Sequence, residues 1–329
     1  MAPTTIFSGD IGTIPTHRQT LITVILTHFN YSEIVAHALA SVARQSHSDF
    51  ECIVVDDCST EAHRLALRAK LEILSDKRFK LIELAENKGQ TNAIFEGLQQ
   101  STGEFVSLLD PDDLYAPEFL ERMLRCHLNP VVYAAVAGCD MGLYRVGGSI
   151  LTRGYVNFKH QAIKNGTLPR SEASLIDFGF SAYYPPETTG WLWATTSSLM
   201  FRRDALEALR QEQYMPNLKI CGDTYCVTGC HMLGGTLFLD EVISWRGVHA
   251  GNAVEAFGVI SSEQRRHQLS FEDNSKKIRY FAMQTLLKNH NASYLPNHTL
   301  SKVLRAHFSD DEFNQLLSES SESLKLVLA

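Results

Sequence analysis

The chain has 329 residues, 44% of them hydrophobic and 20% charged, and a net charge of −7. That composition supports a buried globular core and excludes a disordered or low-complexity polypeptide. The surplus of acid over base argues against a nucleic-acid binder, which needs Lys and Arg in excess to neutralise phosphates.

Met1 to Thr20 is rich in Thr, Gly and Pro, lacks the apolar core of a signal peptide, and reads as a loose leader. No stretch approaches the ~20 consecutive apolar residues that cross a bilayer, so no integral membrane span is expected. The seven cysteines fall mostly inside apolar or helical stretches without a disulfide framework's spacing, which implies a reducing cytoplasm. Cys221, Cys226 and Cys230 match no common zinc spacing and read as small core residues.

Leu21 to Thr27 (LITVILT) is a short β-branched run typical of a buried parallel strand. Ser32 precedes a helical stretch through Arg44, with Ile34, Val35, Ala38, Leu39 and Val42 on one face. Cys52 to Val55 is a second buried strand, closed by Asp56, Asp57 and Ser59. Glu61 to Leu74 carries a helical period, Phe79 to Leu84 a strand, Lys88 to Gln100 a helix, and Glu104 to Leu109 a fourth strand. Strands alternating with helices at these lengths imply right-handed βαβ units and a mainly parallel, Rossmann-like α/β sheet. Pro117 to Leu128 follows as a helix and Val131 to Ala137 as an apolar strand. Met141 to Pro186 is irregular, as a substrate-facing elaboration would be. Regular structure returns with a strand at Ser197 to Phe201, helices at Asp204 to Gln211 and Asp223 to Met232, and strands near Leu237 and from Val242 to Val248. The tail after Ser262 is polar and helix-prone, with Leu286, Leu287, Leu300, Val303 and Leu304 available for packing.

The acids concentrate where ligands bind in such sheets, beyond the carboxyl ends of strands. Asp56 and Asp57 end the second strand; Asp110, Asp112 and Asp113 end the fourth. If those strands are neighbours, both clusters face one crevice. Converging carboxylates repel unless a cation compensates them, and a divalent metal bridging a diphosphate would do so. Oxygen ligands favour Mg2+ or Mn2+ over zinc. Asp-Pro-Asp-Asp also suits a turn followed by a helix cap. No glycine-rich phosphate loop follows the first strand, so metal is the expected holder of phosphate.

The segments VILTHFN (Val24 to Asn30), VVDDCST (Val54 to Thr60), ENKGQTNA (Glu86 to Ala93) and GEFVSLLDPDDLYAPEFL (Gly103 to Leu120) stand in order. SSLMFRRDAL (Ser197 to Leu206), GDTY (Gly222 to Tyr225) and WRGVHAGN (Trp245 to Asn252) follow. With these the chain resembles a family 2 glycosyltransferase of the GT-A fold from roughly Leu21 to Asn252. The resemblance implies a GT-A domain over 21–261, with a nucleotide-sugar-binding half (21–130), an acceptor-binding half (131–261) and a helical C-terminal extension (262–329).

By that resemblance Asp56 and Asp57 contact the nucleobase, with Thr27 and Asn30 near it and Lys88 and Gly89 beside the nucleotide. Asp110 faces the ribose and metal-bound water, Asp112 ligates metal, and Asp113 is a capping acid. Asp223 is the catalytic base, with a plain N-cap as the alternative; its position at a helix start should lower its pKa. His249 either reaches the metal or diphosphate from a C-terminal flap or is simply packed. Arg246 pairs with phosphate oxygens. Trp191 and Trp193 offer an aromatic wall to an acceptor sugar, or fill the core. Thr27-His28 departs from the family's usual Pro-Thr, and Gly222-Asp223 from its Glu-Asp.

The implied reaction is inverting, metal-dependent transfer from a nucleotide sugar, a UDP-sugar favoured, to a hydroxyl of a glycan or glycolipid in polysaccharide or glycoconjugate synthesis. No Gln-x-x-Arg-Trp motif of processive synthases is present. Gln264-Arg265-Arg266 and Lys276-Lys277 could touch an anionic membrane surface or form a solvated helix face. The rival readings are an inactive nucleotide-sugar-binding scaffold and a sugar nucleotidyltransferase, the latter lacking its glycine-rich loop.

Overall fold

The structure is a computed structural model and describes residues 20–152, 176–177, 181–210, 222–249, 276–288 and 297–319. The leader, Cys221, Asn252 and Gln264-Arg265-Arg266 lie outside the described residues, as does much of the stretch expected to be irregular.

The first half is built from β1 (Ile22–His28), α1 (Val35–Ala43), β2 (Phe50–Asp56), α2 (Glu61–Leu74), β3 (Phe79–Glu83), α3 (Gln90–Gln99) and β4 (Phe105–Leu109). Every residue of β1, β2 and β4 is buried. Near-continuous apolar runs of this kind belong inside a parallel sheet with both faces covered. The strands lie in the order β3-β2-β1-β4, all parallel. The chain therefore builds outward from β1 to β3, then crosses back to place β4 on the other side of β1. A crevice opens where that direction reverses. His28 pairs in register with Asp56, and Leu26 with Leu109, so the three carboxyl ends sit level. The two acid-bearing strands are not neighbours as supposed: β1 separates them, by two interstrand spacings or about 10 Å.

The second half adds β5 (Leu114–Tyr115), α4 (Phe119–His127), β6 (Val136–Arg145), β7 (Ile150–Thr152), β8 (Ile176–Asp177) and β9 (Ser181–Tyr184). A 3-10 turn (Thr196–Ser198), β10 (Leu199–Arg202), α5 (Arg203–Glu207), α6 (Gly222–Gly234) and β11 (Thr236–Val248) follow. Helices α7 (276–288), α8 (Asn297–His307) and α9 (Asp310–Glu319) complete the described chain. β10 runs antiparallel between β4 and β6, and β11 runs parallel to β6. The reversal of β10 sets its beginning, the 3-10 turn, beside the carboxyl end of β4.

Three local expectations are corrected. The strand foreseen at Val131 starts at Val136 and continues to Arg145. Val131 and Tyr133 are 68% and 50% exposed, whereas Gly138, Cys139 and Asp140, residues a propensity reading passes over, are buried and paired with β11, Gly138 with β10 as well. Ser32 does not begin α1; its hydroxyl pairs with His63 Nδ1 at 2.8 Å. The two late strands are one, β11, with register shifts between Leu239 and Ser244.

Side-chain alternation along β1 sorts the core into two clusters, one on each sheet face. Ile22, Val24 and Leu26 pack with α1 and α4, while Ile25 packs with α3 and α6. Leu286, Leu287, Leu300, Val303 and Leu304 are buried in that second cluster, which ties α7 and α8 to the same core as α6. Cys226 and Cys230 are fully buried there too. Lys276 and Lys277 are exposed at the start of α7.

Candidate active site

The loop Asp110-Pro111-Asp112-Asp113 leaves the carboxyl end of β4, and four other segments converge on it. From the start of α3, Gln90 Nε2 donates to Asp110 Oδ1 at 2.8 Å. From the 3-10 turn, Ser197 Oγ accepts the Asp110 N–H at 3.0 Å. From the end of β11, His249 Nε2 lies 3.0 Å from Asp112 Oδ2. Tyr31, after β1, meets the His249 ring edge-on at 5.6 Å. Tyr144, on β6, donates its hydroxyl to the Asp112 carbonyl at 2.6 Å.

Crowded, dehydrated acids resist ionisation. Burial, then the charges of Asp112 and Asp223, push the Asp110 carboxyl up to about 7, against hydrogen bonding from Thr196 and the positive charge of Arg246. Burial and the same loop's acids hold the Tyr31 hydroxyl above its ordinary value. Asp113 is not a helix cap, since α4 begins only at Phe119 with Glu118 at its N-cap. It is 2% exposed and accepts the Gly247 N–H at 2.9 Å. Burial, reinforced by Asp112 and Asp110, holds its carboxyl well above the usual range, although Ser197 and Gly247 hydrogen-bond to it. A Cβ at Gly247 would stand 2.1 Å from the Asp112 carbonyl oxygen, so only glycine allows β11 to lie this close to the loop.

Asp223 sits in the first turn of α6, its Oδ1 accepting the Thr224 N–H at 2.7 Å. The expected acidification by helix donors does not prevail: burial outweighs the Thr224 and Thr196 hydrogen bonds and raises its pKa. The Thr196 hydroxyl thus faces two carboxyls, Asp110 at the end of β4 and Asp223 at the start of α6.

Across β1, the acids assigned to the nucleobase are engaged by the protein. Asp56 has no exposure and bonds His28 Nδ1 at 2.7 Å, the Ser59 N–H at 3.0 Å and Arg64 Nε at 3.1 Å. Burial would raise its pKa, but the His28 and Ser59 hydrogen bonds prevail and lower it. Asp57 accepts the Lys88 and Gly89 N–H groups, each at 2.7 Å. Both carboxylates hold loops of the crevice wall together. Gly89, at φ 82°, turns the chain into α3, and Lys88 Nζ pairs with Glu96 at 2.8 Å. Thr27 is 9% exposed at the end of β1, and the Asn30 side chain receives the Thr60 N–H at 2.9 Å.

Trp193 is a core residue and not part of an acceptor wall. It is 1% exposed, and its indole N–H donates to Thr236 Oγ1 at 3.1 Å. Trp191 is partly buried and meets Trp193 edge-on at 5.4 Å. A cavity of about 570 Å3 lined by Glu104, Phe105, Arg202, Arg203, Asp204, Glu207 and Ala208 lies at the amino end of β4, away from the acids. Arg202 and Arg203 there donate to backbone carbonyls, which makes them structural.

Gln90, Thr196, Ser197, Tyr31 and Tyr144 escaped the sequence reading. Thr196 and Ser197 precede a strand, and the search for acids beyond strand ends looks past strand beginnings. Gln90 follows the glycine that turns into α3, the one local signal available.

Among the described residues no group of three or more His, Cys, Asp or Glu could hold a metal alone. Asp112 and His249 offer one oxygen and one nitrogen side by side, with Asp110 behind them. Mg2+-type sites commonly use one or two carboxylates and leave other positions to phosphate and water. The donor set fits that pattern, and a cation there would offset the mutual repulsion that adds to burial in raising Asp110.

The family model described as Glycosyl transferase family 2 matches residues 23–209, more than half of the chain. The chain belongs to glycosyltransferase family 2. It is a glycosyltransferase with the GT-A fold. An uncharacterized glycosyltransferase of Nostoc sp. is 26% identical over 264 residues, covering 80% of this chain and 76% of its own. The UDP-Glc:alpha-D-GlcNAc-diphosphoundecaprenol beta-1,3-glucosyltransferase WfgD of Escherichia coli is 29% identical over 109 residues, 33% of this chain and 42% of WfgD. The mannosyltransferase PcManGT from Pyrobaculum calidifontis, in complex with GDP-Man and Mn2+, superposes with a TM-score of 0.53 at 18% identity, covering 97% of this chain and 81% of its own. Among the described residues no helix is long and apolar enough to cross a membrane.

Proposed function

We propose that this glycosyltransferase moves a sugar from a nucleotide-sugar donor to a hydroxyl of a glycan or glycolipid, with inversion and with the help of Mn2+ or Mg2+. The observation that carries this reading is the meeting of Asp110, Asp112, Asp223 and His249, from β4, α6 and β11, at the carboxyl ends of the parallel strands. In the proposed arrangement residues 21–130 bind donor, 131–261 bind acceptor, and 262–329 form a helical extension.

Asp112 and His249 would hold the metal, with Asp110 toward the ribose and metal-bound water. The cation would supply charge neutralisation at the departing diphosphate. Arg246 would add forked donors to the same phosphates. Thr27, Asn30, Lys88 and Gly89 would line the nucleotide's side of the crevice, with Asp56 and Asp57 holding that wall in shape. Trp191 remains available to an acceptor sugar. Asp223 takes the proton of the acceptor hydroxyl while its oxygen bonds to the anomeric carbon. The bond from that carbon to the diphosphate oxygen breaks, and its electron pair leaves with the diphosphate. One displacement inverts the carbon, and no covalent intermediate is required. A raised pKa suits Asp223 to this role, because a general base works best with a pKa near the operating pH.

The donor named for WfgD supports a UDP-sugar; that of PcManGT makes GDP the principal competitor. WfgD's lipid-linked acceptor supports polysaccharide assembly at the inner face of a membrane. The test is thermal stability with UDP, GDP, dTDP and CMP, each with and without Mn2+, beside Asp112→Ala. A nucleotide at a hundred times its dissociation constant adds roughly 2.7 kcal/mol. Stabilisation by one nucleotide, only with metal and only in the wild type, is the expected outcome. No shift with any of them would replace this reading with an inactive scaffold.

A further inference from the structure

Asp113 belongs to the acidic loop, yet its side chain is buried and turned to the protein. It joins three segments that come from distant parts of the chain. Its own loop carries Asp112, the preceding residue. Its Oδ1 accepts the Gly247 N–H at 2.9 Å, two positions before His249. Its carboxyl is also hydrogen-bonded by Ser197, whose Oγ receives the Asp110 N–H at 3.0 Å. The fit is close, for a Cβ on Gly247 would collide with the Asp112 carbonyl. Tyr144 pins that carbonyl from β6.

We infer that Asp113 is a positioning residue: it locks the end of β11 to the acidic loop and thereby sets Asp112 against His249. It acts through those two side chains and touches neither metal nor donor. Releasing it would free the His249-bearing end of β11 from the loop, so that both side chains are still present but no longer held against each other. This rests on the reading that Asp112 and His249 hold the cation. Outer partners that orient metal ligands change metal affinity by about 10–100-fold when removed.

The experiment titrates Mn2+ into the protein with UDP and, separately, GDP, and reads the Mn2+ midpoint for nucleotide binding below every variant's unfolding temperature. Asp113→Ala and Ser197→Ala should raise the midpoint about tenfold or more. Asp113→Asn keeps an oxygen for the Gly247 N–H and should stay within about threefold of wild type, far less than the outer-partner loss. Leu316→Ala, a core change on α9, should lower thermal stability and leave the midpoint alone. A wild-type midpoint in Asp113→Ala would overturn the assignment. An Asn variant as impaired as the Ala variant would also overturn it, because the carboxylate would then be a ligand in its own right. If the wild type binds neither nucleotide in a metal-dependent way, the donor-site reading falls and this inference with it. A wild type that binds beside variants that do not change condemns the inference alone.

Discussion

A carboxylate in the first turn of a helix is ordinarily acidified by the backbone N–H groups around it. Asp223 receives such a bond from Thr224, and burial still raises its pKa. Position on a helix can be read from spacing; the loss of water around one residue depends on what the rest of the chain lays over it. A base must be deprotonated, so transfer should increase as pH rises through this elevated pKa, and the acid limb of the rate profile should lie above the ordinary carboxylate value. Asp223→Asn should bind donor normally and lose about 10²–10⁴-fold in turnover, the usual contribution of general base catalysis. Normal turnover in that variant, measured at saturating donor, would remove Asp223 from the base role. The two tryptophans separate by the same logic of burial. Trp193→Ala should cost about 3–5 kcal/mol of stability, the range for emptying a large core site, and Trp191→Ala clearly less. Chemical denaturation of the two variants distinguishes them.

The parallel strands and their helices were legible element by element: Glu61 to Leu74 is α2 as read, and β1 moved by one residue. Their apolar runs are continuous because both faces are covered. The acids at strand ends were legible for a related reason, since an apolar run stops where a carboxyl needs polar partners, as Asp56 does on the last residue of β2. The arrangement around β10 was not legible. An antiparallel strand delivers its beginning to the place where parallel strands deliver their ends, which is how Thr196 and Ser197 come to lie beside Asp110. Direction within a mixed sheet follows from pairing, which no local pattern records. β6 was misplaced for the same reason, its Gly138, Cys139 and Asp140 being strand residues because β11, and at Gly138 β10 too, pairs with them. The end of β11 offers a test at this scale. Gly247→Ala should push β11 off the loop, cost about 1–3 kcal/mol as overpacking does, and abolish metal-dependent stabilisation by nucleotide. An alanine variant with the wild-type Mn2+ response would show that the strand's approach to Asp112 is dispensable.

Across the whole molecule, α6, α8 and the loop before β10 are joined by a buried polar chain. His231 Nε2 donates to the Thr188 carbonyl at 3.0 Å, so its Nδ1 accepts from Thr236, whose oxygen in turn accepts the Trp193 indole N–H. His307 donates to the Pro186 carbonyl at 2.8 Å. Burial pushes His231 down to about 3 and His307 down to about 4. A histidine held neutral in the fold stabilises fully above its unfolded pKa, near 6.5, and loses that contribution as pH falls toward the folded value. His231→Gln should therefore be less stable than wild type at neutral pH. The gap should narrow by about 1.4 kcal/mol per pH unit between roughly pH 6 and 4, as urea midpoints across that range would report. A gap independent of pH would mean that His231 titrates in the fold much as it does unfolded.

The pairing of Asp112 with His249 spans 137 positions of sequence. Chains emerge from the ribosome at about 5–20 residues per second, so the acidic loop is made roughly 7–27 s before its histidine partner exists. During that interval the nascent first half can fold its parallel strands while the loop stays unlatched. The last described stretch of β11 is thus the clasp of the enzyme, and its arrival sets the moment at which a growing polypeptide acquires a complete candidate metal site.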